Sequence, residues 1–425
     1  MERKEFIKKA IIGAAGITVL PRHVLGGQGF LAPSDRINLG YIGTGKQNMY
    51  LLGAINQCPE TLVLAASDVD QHKLQSFAAA ATTENKKKSA VSVAAYANYR
   101  ELLERKDIDA VVIASPDHWH AQMVVDAAKA GKDIYCEKPL SLTVAEGRAM
   151  VSATKKYKRV FQTGSMQRSM KYFRDAVNLV RNGYIGQIRE INVSIGKPVV
   201  ACDLPTMPVP DYLDWNAWVG PSLYRGYHPT LAPPLGDEEW AGWRNYRGFG
   251  GGYVTDWGAH MFDIVQWALG MDDSGPVEFV PPQEPNAEEG LYFRYANGIQ
   301  VNHKNWGSPN AIQFLGTDGT VEVAREFLRS SPDSLVEIAL QPSDQKVYHS
   351  ENHYQDWIDA IKKREKPIVD VETGHRTASV CNIVNIAYEL QKTLKWDPKK
   401  EQFDNAYANM MLSRPYRSNW DFNDF

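Results

Sequence analysis

Gly40-Tyr41-Ile42-Gly43-Thr44-Gly45-Lys46-Gln47-Asn48 is the stretch that decides the fold of this 425-residue chain. It ends the β-branched run Ile37 to Ile42 and opens the helical run Met49 to Asn56. Gly43 permits a tight turn, and Gly45 lets backbone approach a pyrophosphate, which then sits at the positive end of the following helix. Thr44 lies in the same turn, and Asn48 stands where a third glycine would serve helix-to-strand packing. The spacing is a Gly-x-Gly-x-x-Asn version of the dinucleotide-binding fingerprint.

Outward from this turn, residues 36–163 alternate short β-branched runs with helical segments, the signature of right-handed βαβ units. Strands are expected at 37–42, 62–66, 110–114, 133–136 and 159–162, and helices at 71–80, 122–130 and 144–156. Residues 82–89 are polar and read as a loop. The expectation is an α/β Rossmann domain with a doubly wound parallel sheet. Asp68, at the end of the second strand, fits the ribose-hydroxyl acceptor, and its charge would repel a 2'-phosphate, so NAD is expected over NADP. The competing reading of Asp68 is a helix N-cap within Ser67-Asp68-Val69-Asp70. Ligands bind outside the carboxyl ends of such strands, which points Ser115-Pro116-Asp117-His118-Trp119-His120 and Glu137-Lys138-Pro139 into the cofactor cleft.

Residues 164–395 read differently. A helix near 172–181 and a strand at 188–195 precede a Pro- and Trp-rich stretch at 198–243, too long to be an idle connection. An amphipathic helix is expected at 253–269, an antiparallel sheet from alternating runs at 291–295, 299–305, 311–315 and 320–323, and helices at 353–363 and 374–394. This part is expected to be an α+β domain for catalysis, substrate binding and oligomerisation, followed by an aromatic tail at 396–425. Trp215, Trp218, Trp240 and Trp243 could stack on a sugar face or pack internally.

Bulk composition narrows the function. Lys plus Arg is 47 against 50 Asp plus Glu, a net charge of -3, so no basic excess exists to hold nucleic acid. Four widely spaced cysteines neither require nor exclude a disulfide. Residues 1–25 combine a charged start with the apolar run Ala10 to Leu20, an export signal too short to span a bilayer. Arg3-Lys4-x-Phe6-Ile7-Lys8 resembles a twin-arginine motif with Lys for the second Arg, so a Tat-like or Sec route to the periplasm is expected, with the cytoplasm as the alternative. No integral membrane segment is expected after signal removal.

The fingerprint, Asp68, Ser115 to His120, Glu137-Lys138-Pro139 and Asp256-x-x-x-His260 together resemble the glucose-fructose oxidoreductase, inositol dehydrogenase and MocA (Gfo/Idh/MocA) family, from about Arg36 to Trp396. The resemblance implies a nicotinamide cofactor in an interdomain cleft and a large, mostly antiparallel C-terminal sheet that mediates a homo-oligomer, dimer or tetramer. It maps the family's strand-end Pro and His onto Pro116 and His120 and its lysine onto Lys138. The signal-like start and the aromatic tail look like an exported subgroup found with glycan-processing enzymes.

Hydride transfer from a carbinol needs a base for the hydroxyl proton and a donor to hold the oxygen. His260 is the expected base, Lys138 the donor, and Asp256 an orienter of substrate or histidine, with Lys138 and His260 able to exchange roles. Asp256 and His260, four apart on a helix, would share a face. Arg168 is a candidate hydroxyl-binding group. His118-x-His120 and His349-x-x-x-His353 have zinc-like spacing without a third ligand, so no metal is expected. The leading expectation is an NAD-dependent oxidoreductase acting on a ring hydroxyl of a sugar or glycoside, C3 preferred, with the cofactor tightly bound and recycled internally. Alternatives are a redox-neutral glycosidase working by transient oxidation and elimination, and an inactive sugar-binding protein.

Overall fold

The computed structural model describes residues 35–417; the expected export signal and the last residues of the tail lie outside them. β1 (Ile37–Ile42), β2 (Thr61–Ser67), β3 (Ala94–Tyr96), β4 (Ala110–Ile113), β5 (Asp133–Cys136) and β6 (Phe161–Thr163) form a parallel sheet in the order β3-β2-β1-β4-β5-β6. Helices α1 (Lys46–Ile55), α2 (Gln71–Asn85), α3 (Tyr99–Glu104), α4 (Asp117–Lys129) and α5 (Val144–Lys156) connect them. Every residue of β2, β4 and β5 is buried, as strands covered by helices on both faces must be.

The register positions the site. Ile42 lies opposite both Ser67 and Ile113, Ile113 opposite Cys136, and Cys136 opposite Thr163. The residues that follow, Gly43, Asp68, Ser115, Glu137 and Gly164, therefore emerge along one edge. Strand order reverses between β1 and β4, and the fingerprint turn sits at that switch point.

After α6 (Lys171–Arg181) comes a second body. It holds β7 (Ile188–Ser194), α7 (Trp215–Val219), α8 (Gly252–Asp256), α9 (Gly258–Leu269), β8 (Glu278–Val280), β9 (Tyr292–Arg294), β10 (Gln300–His303), β11 (Ala311–Gly316), β12 (Thr320–Val323) and β13 (Leu328–Ser331). The chain closes with α10 (His353–Lys363), α11 (Val371–Leu390), β14 (Leu394–Asp397), β15 (Gln402–Phe403) and α12 (Ala406–Met410). Its nine-stranded sheet runs β13-β12-β11-β7-β10-β9-β8-β14-β15, antiparallel except for the β7/β10 pair. One face buries Ile191, Val193, Val301, Ile312 and Phe314 against α6, α9 and α11. The other carries a ladder of amides, with Asn192 donating to Gln313 and Asn302 donating to Asn192.

Several boundaries differ from the sequence expectation. α2 continues through the polar residues 82–85 because buried Asn85 bonds both the N–H and the carbonyl of Val63, pinning the helix end to β2. α4 begins at Asp117, so Asp117 to His120 are helical and only Ser115 and Pro116 form the strand-end turn. The helix expected at 253–269 is broken at Trp257, whose carbonyl accepts from both His260 and Met261. The tail does not stand apart at residue 396: Leu394 pairs with Phe279, and β14 and β15 extend the sheet. Nor does packing divide at 163, since Trp357 and Ile358 of α10 enter the core formed by Leu39, Tyr41 and Val63.

Candidate functional site

The fingerprint turn borders a cleft of about 1120 Å³ lined by Gly43, Thr44, Gly45, Asp68, Ser115 and Pro116 on the parallel-sheet side. Gly43 has φ +78, and a Cβ there would lie 2.8 Å from the Ser115 nitrogen, so only glycine fits. A Cβ on Gly45 would meet nothing within 4 Å, which leaves open ground above the N-terminus of α1. Asp68 Oδ2 accepts from the Thr44 N–H at 2.5 Å and its hydroxyl at 3.0 Å, while Oδ1 accepts from the Asp70 N–H at 2.8 Å. Burial pushes the Asp68 carboxyl up, and these N–H bonds oppose it. Asp70, not Asp68, caps α2 through His72 and Lys73, so Asp68 is left to face the cleft. An open pyrophosphate seat beside a ribose-facing carboxylate fits NAD.

The opposite wall comes from the Pro- and Trp-rich stretch of the second body, including Trp218, Pro233, Trp240 and Arg244. Lys46 donates to the Glu238 and Glu239 carbonyls and lies 5.7 Å from the Trp240 ring centre, and Lys73 donates to the Pro233 carbonyl at 2.7 Å. This strap crosses the start of α1. Of the tryptophans considered as sugar platforms, Trp218, Trp240 and Trp243 line this nucleotide cleft, and Trp215 stacks on Trp218 at 4.5 Å.

A second cluster lies at the same sheet edge. Lys138 Nζ donates to Asp256 Oδ1 at 2.6 Å and to its carbonyl at 3.1 Å. Burial raises the Asp256 carboxyl, but Lys138, then Arg244, outweigh it and hold the group below its ordinary range. Asp256 thus orients Lys138 rather than His260. Arg325, between β12 and β13, approaches His260 Nε2 at 3.0 Å and donates to Gln167 Oε1 at 3.0 Å. Burial, then Lys138 and Arg325, push the imidazole pKa well down, so the ring is neutral. With Nε2 accepting from Arg325, its proton resides on Nδ1, a buried atom with no partner among the described residues. The acceptor lone pair of His260 is thus occupied by Arg325 in this arrangement.

Four expected ligands serve the scaffold instead. Asn48 is fully buried and donates to the Ile42 and Gly43 carbonyls, locking the turn onto α1 rather than touching phosphate. His120, pushed down to about 4 by burial, lies between the Ser115 and Pro139 carbonyls at 2.9 and 2.8 Å, donates to one of them and packs the two strand-end turns together. Glu137 accepts from Gln47 at 2.9 Å and lies beneath the cleft wall. Its carboxylate packs so closely on Gly164 that a Cβ there would approach within 2.8 Å. Arg168 is 1% exposed and gives paired bonds to Asp263 and Asp272, leaving no face for a hydroxyl. His118 is likewise buried, its Nε2 beside the Trp218 carbonyl. Among the described residues no three His, Cys, Asp or Glu side chains are grouped to hold a metal ion.

Comparison with known proteins matches residues 37–165 to "Oxidoreductase family, NAD-binding Rossmann fold" and residues 196–422 to "Oxidoreductase family, C-terminal alpha/beta domain". The chain belongs to the Gfo/Idh/MocA family. It is 31% identical over 162 residues to a myo-inositol 2-dehydrogenase of Thermotoga maritima, covering 38% of this chain and 46% of that one. It is 29% identical over 205 residues to a glycosyl hydrolase family 109 protein of Shewanella pealeana, covering 44% of each. The chain thus spans about half the length of the curated relatives it matches. Among solved Gfo/Idh/MocA-like folds, the WlbA dehydrogenase from Bordetella pertussis, in complex with NADH and UDP-GlcNAcA, aligns with TM-score 0.61 at 18% identity, over 85% of this chain and 98% of that one. The aldose-aldose oxidoreductase from Caulobacter crescentus, complexed with glycerol, aligns with TM-score 0.59 at 20% identity, over 85% and 99%.

Proposed function

We propose that the protein is an NAD-dependent oxidoreductase acting on a ring hydroxyl of a sugar or glycoside, with C3 the preferred position, and that the cleft between the fingerprint turn and the strap would hold the NAD. The observation that carries this reading is the Lys138–Asp256 pair beside His260, at the same sheet edge as the Gly43 to Gly45 turn. The bound nicotinamide supplies the hydride acceptor. Gly43, Thr44, Gly45, Ser115 and Pro116 seat the dinucleotide, and Asp68 takes the ribose hydroxyl. Lys138, once it has passed its own proton to solvent, receives the hydroxyl proton, and Asp256 at 2.6 Å stabilises the ammonium so restored. His260, neutral and held at Nε2 by Arg325, packs beside this pair and leaves the hydroxyl oxygen to Lys138. The likeness to a glycosyl hydrolase family 109 protein favours one second reading, a redox-neutral glycosidase in which transient oxidation acidifies the neighbouring C–H and releases the substituent. Export to the periplasm by a Tat-like or Sec route and assembly of a homo-oligomer through the large sheet belong to the same proposal.

The test is an array of sugars and glycosides incubated with the purified holoprotein. Mass spectrometry should detect loss of two hydrogens as nicotinamide absorbance rises. An array that leaves the cofactor unchanged defeats the oxidoreductase reading, and release of aglycone without net NADH selects the glycosidase.

A further inference from the structure

Arg325 has a balance of partners unlike that of Arg168 and Arg148. Arg168 and Arg148 each face two carboxylates. Arg325 is half-buried, and among the described residues it forms no ion pair. Its guanidinium gives Nε to Gln167 and one Nη2 hydrogen toward His260, and its plane covers the Trp257 ring at 4.7 Å. The remaining Nη1 and Nη2 hydrogens have no acceptor among the described residues. A guanidinium presents these as a planar fork matched to a carboxylate, and withdrawing it from water without a counter-charge is costly. Burial accordingly lowers the Arg325 pKa, opposed by Glu326, Tyr50, Asp256 and Glu137.

None of the carboxylates nearby, the adjacent and exposed Glu326 included, forms an ion pair with Arg325 among the described residues. The Asp256 carboxylate is taken by Lys138, and Glu137 is taken by Gln47 and the Lys138 N–H. Arg244, the other cation near the cluster, stacks on Trp243 at 4.3 Å in the nucleotide cleft, where a pyrophosphate can meet it. Arg325 lies instead beside His260, on the second-body side of the reacting position.

We propose that Arg325 selects the substrate by pairing with a carboxylate carried on the sugar, so that the protein acts on a uronic acid or its glycoside. This rests on the sugar-oxidation reading for its place in catalysis, but it concerns binding and can be tested separately. Two N–H donors from a partly desolvated guanidinium, bonded to a charged acceptor, favour the uronide over the matched neutral glycoside by roughly 10- to 100-fold in kcat/KM.

The experiment compares methyl glucuronide with methyl glucoside on the holoprotein, by cofactor reduction and by calorimetric binding of glucuronate to the NADH-loaded form. Wild type should prefer the uronide in both. Arg325→Gln should bring the ratio of the two substrates close to one, and Arg325→Lys should restore part of it as a point charge. Melting temperatures establish that the variants fold; if the Gln variant does not, the Lys variant carries the comparison. Equal use of the two glycosides by wild type overturns the proposal while leaving sugar oxidation intact. Arg325-dependent binding of glucuronate without any cofactor reduction upholds the proposal and defeats the oxidation reading. A sugar phosphate preferred over the uronide overturns the carboxylate assignment.

Discussion

Asp68→Asn removes the charge that we assign to cofactor selection. Asn keeps an oxygen for the Thr44 N–H and hydroxyl, which Asp68 now accepts at 2.5 and 3.0 Å, so the fingerprint turn should hold its shape, while the Asp70 N–H loses its acceptor at 2.8 Å. At a contact separation of about 4 Å and an effective dielectric of about 20, a unit charge on Asp68 repels a unit charge on a 2'-phosphate by ~4 kcal/mol. Because Asp68 is only partly buried, solvent cuts this to about 2–3 kcal/mol, still a factor of roughly 30 to 150 against NADPH. Losing the charge also weakens the bond to the NADH ribose by about 1 kcal/mol. The NADH-to-NADPH affinity ratio should therefore fall by on the order of 10²- to 10³-fold. Tryptophan-to-nicotinamide energy transfer on the cofactor-stripped protein measures both affinities, since Trp218, Trp240 and Trp243 line the cleft. A ratio unchanged by the substitution refutes the assignment of Asp68 to the ribose.

Other outcomes test the rest of the site. Lys138→Met should lower kcat/KM by roughly 10²- to 10⁴-fold while NADH affinity is retained, measured by turnover and titration on one preparation. Arg168→Met should destabilise the fold by about 3–5 kcal/mol in urea unfolding, because it leaves Asp263 and Asp272 uncompensated; an effect confined to substrate KM would restore its role as a sugar ligand. Burial pushes the Glu401 carboxyl up, but the hydrogen bonds from His375 and Arg148 override this and bring it down to about 2, against an ordinary 4.5. A depressed folded pKa means that its stabilisation is complete above about pH 4.5 and is lost as pH falls through about 2. Glu401→Gln should therefore cost about 2 kcal/mol at neutral pH, and the gap to wild type should close in the acid limb of a pH series of unfolding curves.

The parallel sheet was legible because strands buried on both faces read as unbroken apolar runs between helical segments. β3 was not, since Ala94-Ala95-Tyr96 is a short edge strand, only partly buried, with no such run. The fingerprint turn, Asp68 and Lys138 could be placed because they follow strands whose ends share a register. Arg168 could not, because its partners are 95 and 104 residues away, and an arginine in a turn looks the same whether it faces solvent or two aspartates. Arg325 carries no local motif in Val323-Ala324-Arg325-Glu326-Phe327, and only tertiary folding brings it to His260. Gln47 and Lys46 lay within the quoted motif, but their partners, Glu137 and the strap carbonyls, are equally products of tertiary packing.

Gln167 and Arg168 are neighbours in a single 3-10 turn, Met166–Ser169. The first steadies Arg325 on the hairpin, and the second clamps α9 through Asp263, one turn beyond His260. This turn is a common bearing for two parts with different tasks. Under the role proposed for Arg325, a change of side chain at the hairpin tip at 324–327 changes the substrate, while the clamp keeps the helix that carries His260 in place. A change in the turn itself shifts both parts at once. Divergence toward other substrates therefore has an open route through the hairpin and a closed one through residues 166–169.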